Sequence, residues 1–320
     1  MPNKMGMQGK GEAVENMKES TISGVIHNSL RQAAVRRLRD YWVLTKPEVN
    51  LLVVMSTLAG FYLAQRGPLN VTLLLSALLG TLLVASGTGT LNQYMERTSD
   101  CSMRRTARRP LPAGRLYPSE ALVFGILLSI GGGALLWFEA NPLASILALL
   151  TLATYLLIYT PLKKKTALCT LIGAFPGAMP PLIGWAAARG SLNAESLVLY
   201  AILFLWQFPH FLAIAWMYRE DYSRAGLRML PPEDLEGRVT SRQIIIFLGA
   251  LVLVSMVPTL TGQAGMIYLL GAVALGGFFL LHGARLARSR TNALARRLVL
   301  ASVIYLPLIF SLLMFDKGSL

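Results

Sequence analysis

Nine stretches of the chain run without a single Lys, Arg, Asp or Glu: roughly 49–65, 71–91, 121–138, 143–160, 167–188, 197–218, 243–263, 265–284 and 298–315. Each is long enough to cross a bilayer core as a helix, which needs about 20 apolar residues. Lipid offers no partner to backbone N–H and C=O groups, so a spanning segment has to satisfy them internally. Nine such runs predict an all-α polytopic membrane protein with nine transmembrane helices. Composition agrees, with 54% hydrophobic and only 14% charged residues, far from the usual balance of a soluble globule.

An odd number of spans puts the two chain ends on opposite sides, and the positive-inside rule selects between them. With the N-terminus inside, the inner segments collect 27 of the 30 Lys and Arg residues, leaving only Arg66, Arg189 and Lys317 outside. Of the 16 acidic residues, 13 fall inside, so the net charge of +14 belongs to the inner face. Membrane lipids and anionic substrates account for that charge, and no nucleic-acid partner is needed. The expected location is the cell (inner) membrane, multi-pass, with a cytoplasmic N-terminus.

Residues 1–45 are polar, carry Glu12, Glu15 and Glu19, and lack the apolar core and cleavage site of a signal peptide. They read as a cytoplasmic extension, partly disordered, with an amphipathic helix around Asn28 to Trp42 lying on the membrane. Residues 46–316 then form one nine-helix domain. Cys101 and Cys169 form no CxxC pair, which argues against a disulfide framework or a zinc site.

Charge is also uneven among the loops. The outer connections are short and nearly neutral, whereas the inner second and sixth loops are long and rich in acid and base, so function is expected on the inner face. In "LNQYMERTSDCSMRRTARRPLPAGR", Asn92, Glu96 and Asp100 recur every four residues, sharing one face if the second span continues as helix beyond the membrane. Two carboxylates and an amide oxygen are hard ligands suited to Mg²⁺, which completes its shell with water and substrate phosphate. Arg104, Arg105, Arg108 and Arg109 follow directly. Carboxylates alone would repel a diphosphate, but a metal ion and guanidinium forks together suit one.

The sixth loop, in "WQFPHFLAIAWMYREDYSRAGLRMLP", adds Glu220 and Asp221 with Arg219 and Arg224 beside them. His210 lies 11 residues before Asp221, so an unbroken helix would put both on one face, although Pro209 can spoil the alignment. An imidazole within a bilayer is a functional candidate; its bland alternative is a helix–helix hydrogen bond. "YTPLKKKT" offers Lys163 and Lys164, with Tyr159 before them, to a phosphate on the same face, and Lys46 in "LTKPEV" has the same opportunity. Topology alone also explains these lysines. The three prolines of "FPGAMPPLIGW" predict a broken helix lining a cavity.

These paired inner-loop motifs on nine helices resemble the intramembrane aromatic prenyltransferase superfamily. The second- and sixth-loop strings, with "LTKPEV" and "YTPLKKKT", are similar to its heme-farnesylating branch over about residues 41 to 315. The resemblance implies helices around a central cavity open to the cytoplasmic side. It implies transfer of a farnesyl group from farnesyl diphosphate to a vinyl group of protoheme IX, assisted by Mg²⁺. Asn92, Glu96, Asp100 and Asp221, with Glu220, would be the metal-binding and catalytic set. Arg105, Arg109, Lys46, Tyr159, Lys163, Lys164, Arg219 and Arg224 would serve the diphosphate, and His210 the heme. A downstream heme A synthase or the oxidase assembly machinery would receive the product. The chain departs from the superfamily pattern at Glu96, where Asp is common, and at Ala225, where a further acid is common. Two rivals stay open: a related enzyme using a hydroxybenzoate or quinone precursor, and a transporter. The transporter is disfavoured because no acid or base occupies mid-membrane.

Overall fold

The computed structural model describes residues 31–318; the expected disorder of the extension, and its residues 1–30, lie outside them. Among the described residues, nine helices are long and apolar enough to cross a membrane: α1 (Pro47–Ala64), α2 (Val71–Cys101), α3 (Pro118–Ala140), α4 (Pro142–Leu162), α5 (Cys169–Arg189), α6 (Ala194–Met217), α7 (Arg238–Leu260), α8 (Met266–Ser289) and α9 (Asn292–Phe315). The chain is thus the all-α, nine-span membrane protein that its apolar runs predict.

Three local features shape the bundle. At 31 residues, α2 is about 46 Å long, roughly 16 Å more than the hydrocarbon core. Its last turns therefore continue beyond the apolar run. Second, α5 is broken into Cys169–Gly177 and Pro180–Arg189, as the prolines predict. Gln207 of α6 reaches that break and donates to the Ala174 carbonyl at 3.0 Å. Third, α4 ends in a wider π turn, Tyr155–Tyr159, just before Pro161, which has no N–H to continue an α-helical ladder.

Close approach holds the bundle together. A side-chain carbon at Gly60 or Gly184 would run into the backbone of Pro181 or Thr57, so α1 and α5 meet backbone to backbone, as small residues allow in membranes. α6 lies at the centre of the largest core cluster, with Leu199, Ile202, Trp206 and Leu212 packed among Ile244, Leu248, Leu298 and Tyr305 of α7 and α9.

The structure redraws one sequence expectation. α6 ends at Met217, because Tyr218 at φ −109° and ψ 19° leaves the helical region, and Asp221 belongs to a separate short helix, Arg219–Arg224. Pro209 sits inside α6 without ending it. The shared face of His210 and Asp221 is therefore lost at Tyr218 rather than at the proline. An apolar groove of about 780 Å³ opens on the flank of the bundle, where Leu38, Tyr41 and Trp42 face Phe124 and Leu127 of α3. It is bounded by a helical segment, residues 31–44, that precedes α1. Its exposed Leu38 and Trp42 agree with the amphipathic helix expected there, of which residues 28–30 lie outside the described part.

Candidate functional site

The overhanging end of α2 presents Asn92, Glu96 and Asp100 on one face. Each is met by a cation from a different part of the chain. Lys46, just before α1, donates from Nζ to Asn92 Oδ1 at 3.0 Å. Lys163, at the end of α4, donates to Glu96 Oε1 at 2.8 Å, and Arg109 to Asp100 Oδ2 at 2.8 Å. Asn92 Nδ2 donates in turn to Thr160 Oγ1 at 3.2 Å. Asp100 is 1% exposed and its Oδ1 is buried without a hydrogen-bond partner.

Residues 102–117 fold back over the α2 terminus instead of running into solvent. The Thr106 hydroxyl donates to the Asp100 carbonyl at 2.9 Å, and the Arg105 backbone N–H donates to Asp221 Oδ2 at 3.4 Å. Arg224 forms an ion pair with the other oxygen of Asp221. The Arg105 guanidinium lies 5.0 Å above the Tyr218 ring. A second tie runs from the Arg228 N–H to the Lys163 carbonyl at 2.7 Å. The ends of α2, α4 and α6 thus converge on one cluster, although 116 residues separate Arg105 from Asp221.

The electrostatics follow from burial. Lys46 has its pKa pulled down to about 7, first by burial and then by repulsion from Arg109. Its backbone is also left-handed, at φ 54°, a conformation non-glycine residues adopt only under local constraint. Burial opposes charge on Lys163, yet Tyr159, Tyr155 and Glu96 outweigh it and its pKa is raised. Its Nζ lies 4.4 Å from the Tyr159 ring centre and 5.8 Å from that of Tyr155, within cation–π range.

The structure brings together Lys46, Asn92, Glu96, Asp100, Arg105, Arg109, Tyr159, Lys163, Asp221 and Arg224. It places three other expected residues differently. Lys164 and Glu220 are exposed. Arg219 turns towards α9, donating to Asn292 Oδ1 at 2.8 Å and stacking on Trp216 at 4.5 Å, because it begins the short helix after the break at Tyr218. His210 pairs Nδ1 with Ser302 Oγ of α9 at 2.6 Å and stacks on Trp206, which is the helix–helix contact of its bland reading. Sequence reasoning missed Thr106, Tyr155 and Thr160. Tyr155 had a signal, since it stands one helical turn before Tyr159; the two threonines had none.

Comparison with known proteins gives the family. The UbiA prenyltransferase family matches residues 53–308. The chain belongs to the UbiA prenyltransferase family. It is accordingly an enzyme, a prenyltransferase, and a multi-pass membrane protein. Among its relatives, a protein named protoheme IX farnesyltransferase from Solibacter usitatus (strain Ellin6076) is 50% identical over 292 residues, covering 88% of this chain and 100% of the relative. Among solved structures, digeranylgeranylglyceryl phosphate synthase superposes with a TM-score of 0.72 at 18% identity, covering 88% of this prenyltransferase and 98% of that chain. A UbiA homolog from Archaeoglobus fulgidus bound to GPP and Mg²⁺ superposes with a TM-score of 0.59 at 15% identity, covering 86% and 99%. At those identities the two structures speak for the fold.

Proposed function

We propose that this chain transfers a farnesyl group from farnesyl diphosphate to a vinyl group of protoheme IX, giving heme O. The observation that carries the diphosphate half is the convergence of the α2 and α6 ends, joined through Arg105 and Asp221, into one cluster of paired acids and cations. The heme half rests on the relative of 50% identity named for that acceptor.

The residues present suit a divalent cation. Asp100 Oδ1 is a buried oxygen without a partner, and Asn92 and Glu96 lie above it on the same helix face. Among the described residues no group of three or more His, Cys, Asp or Glu side chains is placed to hold a metal ion by itself. Mg²⁺ takes few protein oxygens and keeps the rest of its shell for water and phosphate. Asn92, Glu96, Asp100 and Asp221 would hold it. There it would supply positive charge to stabilise the departing diphosphate.

The chain's own cations do the rest. Breaking a buried ion pair without replacement costs about 3–5 kcal/mol, so Lys163 and Arg109 stay on their carboxylates while no anion is present, with the more exposed Arg224 on Asp221. An entering diphosphate offers them new partners, and Lys46 and Arg105 lie beside the same group. Cleavage of the allylic C–O bond then leaves a farnesyl cation. The apolar interior between the helices shields it until the heme vinyl group attacks, after which water adds and loses a proton. We assign His210 to the heme: with Nδ1 held by Ser302, Nε2 is oriented in the way an axial ligand is fixed by its outer hydrogen bond. The inner-face excess of Lys and Arg supports a cytoplasmic N-terminus and a site opening to the cytoplasm of a cell with this chain in its inner membrane.

Mass analysis of products from purified protein incubated with protoheme, farnesyl diphosphate and Mg²⁺ tests this. Heme carrying one added farnesyl group and one added hydroxyl is expected. Unchanged heme beside a prenylated hydroxybenzoate or quinone precursor would replace the acceptor. Substrate flux across sealed vesicles with no prenylated product would overturn the reading altogether.

A further inference from the structure

The segment preceding α1 is tied to the arginine-bearing loop by a buried carboxylate that the proposed chemistry does not use. Asp40 is 8% exposed and accepts two bonds from Arg115 Nε, at 2.9 Å to Oδ1 and 3.1 Å to Oδ2, with Arg115 Nη2 also 2.9 Å from Oδ1. That same Nη2 donates to the carbonyl of Arg108 at 3.2 Å. Arg108 lies directly beside Arg109, whose guanidinium grips Asp100. A continuous chain of contacts therefore runs from Asp40 through Arg115 to the backbone that carries Arg105 and Arg109.

Packing reinforces that line. Leu44 is fully buried against Leu111, Leu116 and Ala121, and Gln93 donates to the Leu44 carbonyl at 3.0 Å. Gln93 is the immediate neighbour of Asn92, so the segment is braced against both sides of the acid–arginine cluster. Separately, Arg37 pairs with Glu120 at the start of α3. This second tether anchors the segment to α3 but makes no contact with the loop backbone between residues 102 and 115.

We propose that residues 31–44 form a working part of the donor site, with Asp40 as the positioning residue that holds Arg105 and Arg109 in register for a diphosphate. Residues 102–117 contain only turns and no helix of their own, so side-chain ties such as the Asp40–Arg115 pair set where the loop's arginines stand. A bidentate carboxylate–guanidinium pair fixes orientation as well as distance. Arg115 then transmits that orientation to the main chain of Arg108. The inference rests on the diphosphate reading of the cluster and adds to it a role for the chain ahead of α1.

The test uses full-length protein and measures affinity for inorganic diphosphate with Mg²⁺, alongside KM for farnesyl diphosphate and for heme. Asp40→Asn keeps the shape and removes the charge. It is expected to weaken diphosphate binding and raise the farnesyl diphosphate KM about ten-fold, equivalent to about 1.4 kcal/mol, with the heme KM unchanged. Arg115→Lys, which cannot bridge Asp40 and the Arg108 carbonyl at once, should give a loss of similar size. Glu120→Gln releases the other tether and should leave diphosphate affinity unaltered. The double variant Asp40→Arg with Arg115→Asp should recover part of the loss. Equal losses from Glu120→Gln and Asp40→Asn, or a change in both KM values together, would mean that the segment only stabilises the fold and would overturn the proposal. So would wild-type affinity in both Asp40→Asn and Arg115→Lys. Absence of diphosphate binding by the unaltered protein would instead defeat the underlying diphosphate reading.

Discussion

Asp100 carries the most telling atom in the molecule. One of its oxygens pairs with Arg109 and the other is buried with nothing to bond. A buried polar atom without a partner costs about 1–3 kcal/mol, a cost that a bound ligand would remove. Asp221 shows the same economy, with one oxygen on Arg224 and the other accepting a long bond from the Arg105 N–H. Asp100→Ala and Asp221→Ala are each expected to reduce turnover by at least about 100-fold, the scale of losing a principal electrostatic group at a reacting centre. Both variants should still fold as helical bundles in detergent, with Asp100→Ala less heat-stable because Arg109 loses its buried partner. Product formation near the wild-type rate in either variant would remove that residue from the site. For His210, Ala substitution should weaken heme binding, read from the Soret band, while diphosphate affinity holds. Equal loss of both affinities would leave only its contact with Ser302.

Among the elements, α2 does more than span. Its overhang places three oxygen-bearing side chains past the hydrocarbon, and the loop after it folds back because Thr106 and Arg105 bond to Asp100 and Asp221. Helix entry is also managed at α7. Asp234 Oδ1 accepts from the Val239 N–H at 2.9 Å, and Oδ2 accepts from the Thr240 N–H at 2.7 Å and its hydroxyl at 2.6 Å. Burial works to raise the Asp234 pKa, but the bonds from Thr240 and Val239 prevail and hold it below its ordinary value. A depressed carboxylate adds stability above its unfolded pKa and loses it as pH falls through the folded one. Asp234→Ala should therefore lower stability by about 1 kcal/mol at neutral pH, and the gap to wild type should close as pH drops below the usual carboxylate range of about 4. Unfolding midpoints at several pH values would check this; a gap independent of pH would assign the loss to packing alone.

For the whole molecule, the distribution of Lys and Arg predicts an orientation that Cys101 can report. Cys101, at the end of α2, is exposed, whereas Cys169 is buried. A membrane-impermeant maleimide should label Cys101 in inverted vesicles and leave it untouched in intact spheroplasts. Labelling from outside would invert the proposed topology.

The sequence alone determined the nine spans, their helical state and the presence of acid–arginine motifs in the second and sixth loops. These follow from local chemistry: the backbone's need for internal partners in lipid, and the four-residue spacing of Asn92, Glu96 and Asp100. The break in α5 was legible for the same reason, since proline acts on its own turn. What tertiary structure alone decided was which cation meets which oxygen, because Lys46–Asn92, Lys163–Glu96 and Arg105–Asp221 join residues separated by 46, 67 and 116 positions. It also turned Arg219 towards α9 and docked residues 31–44 on the loop, through a change of direction at Tyr218 and a buried carboxylate at Asp40. Periodicity shows which side chains share a helix face; the folded bundle alone determines what that face meets.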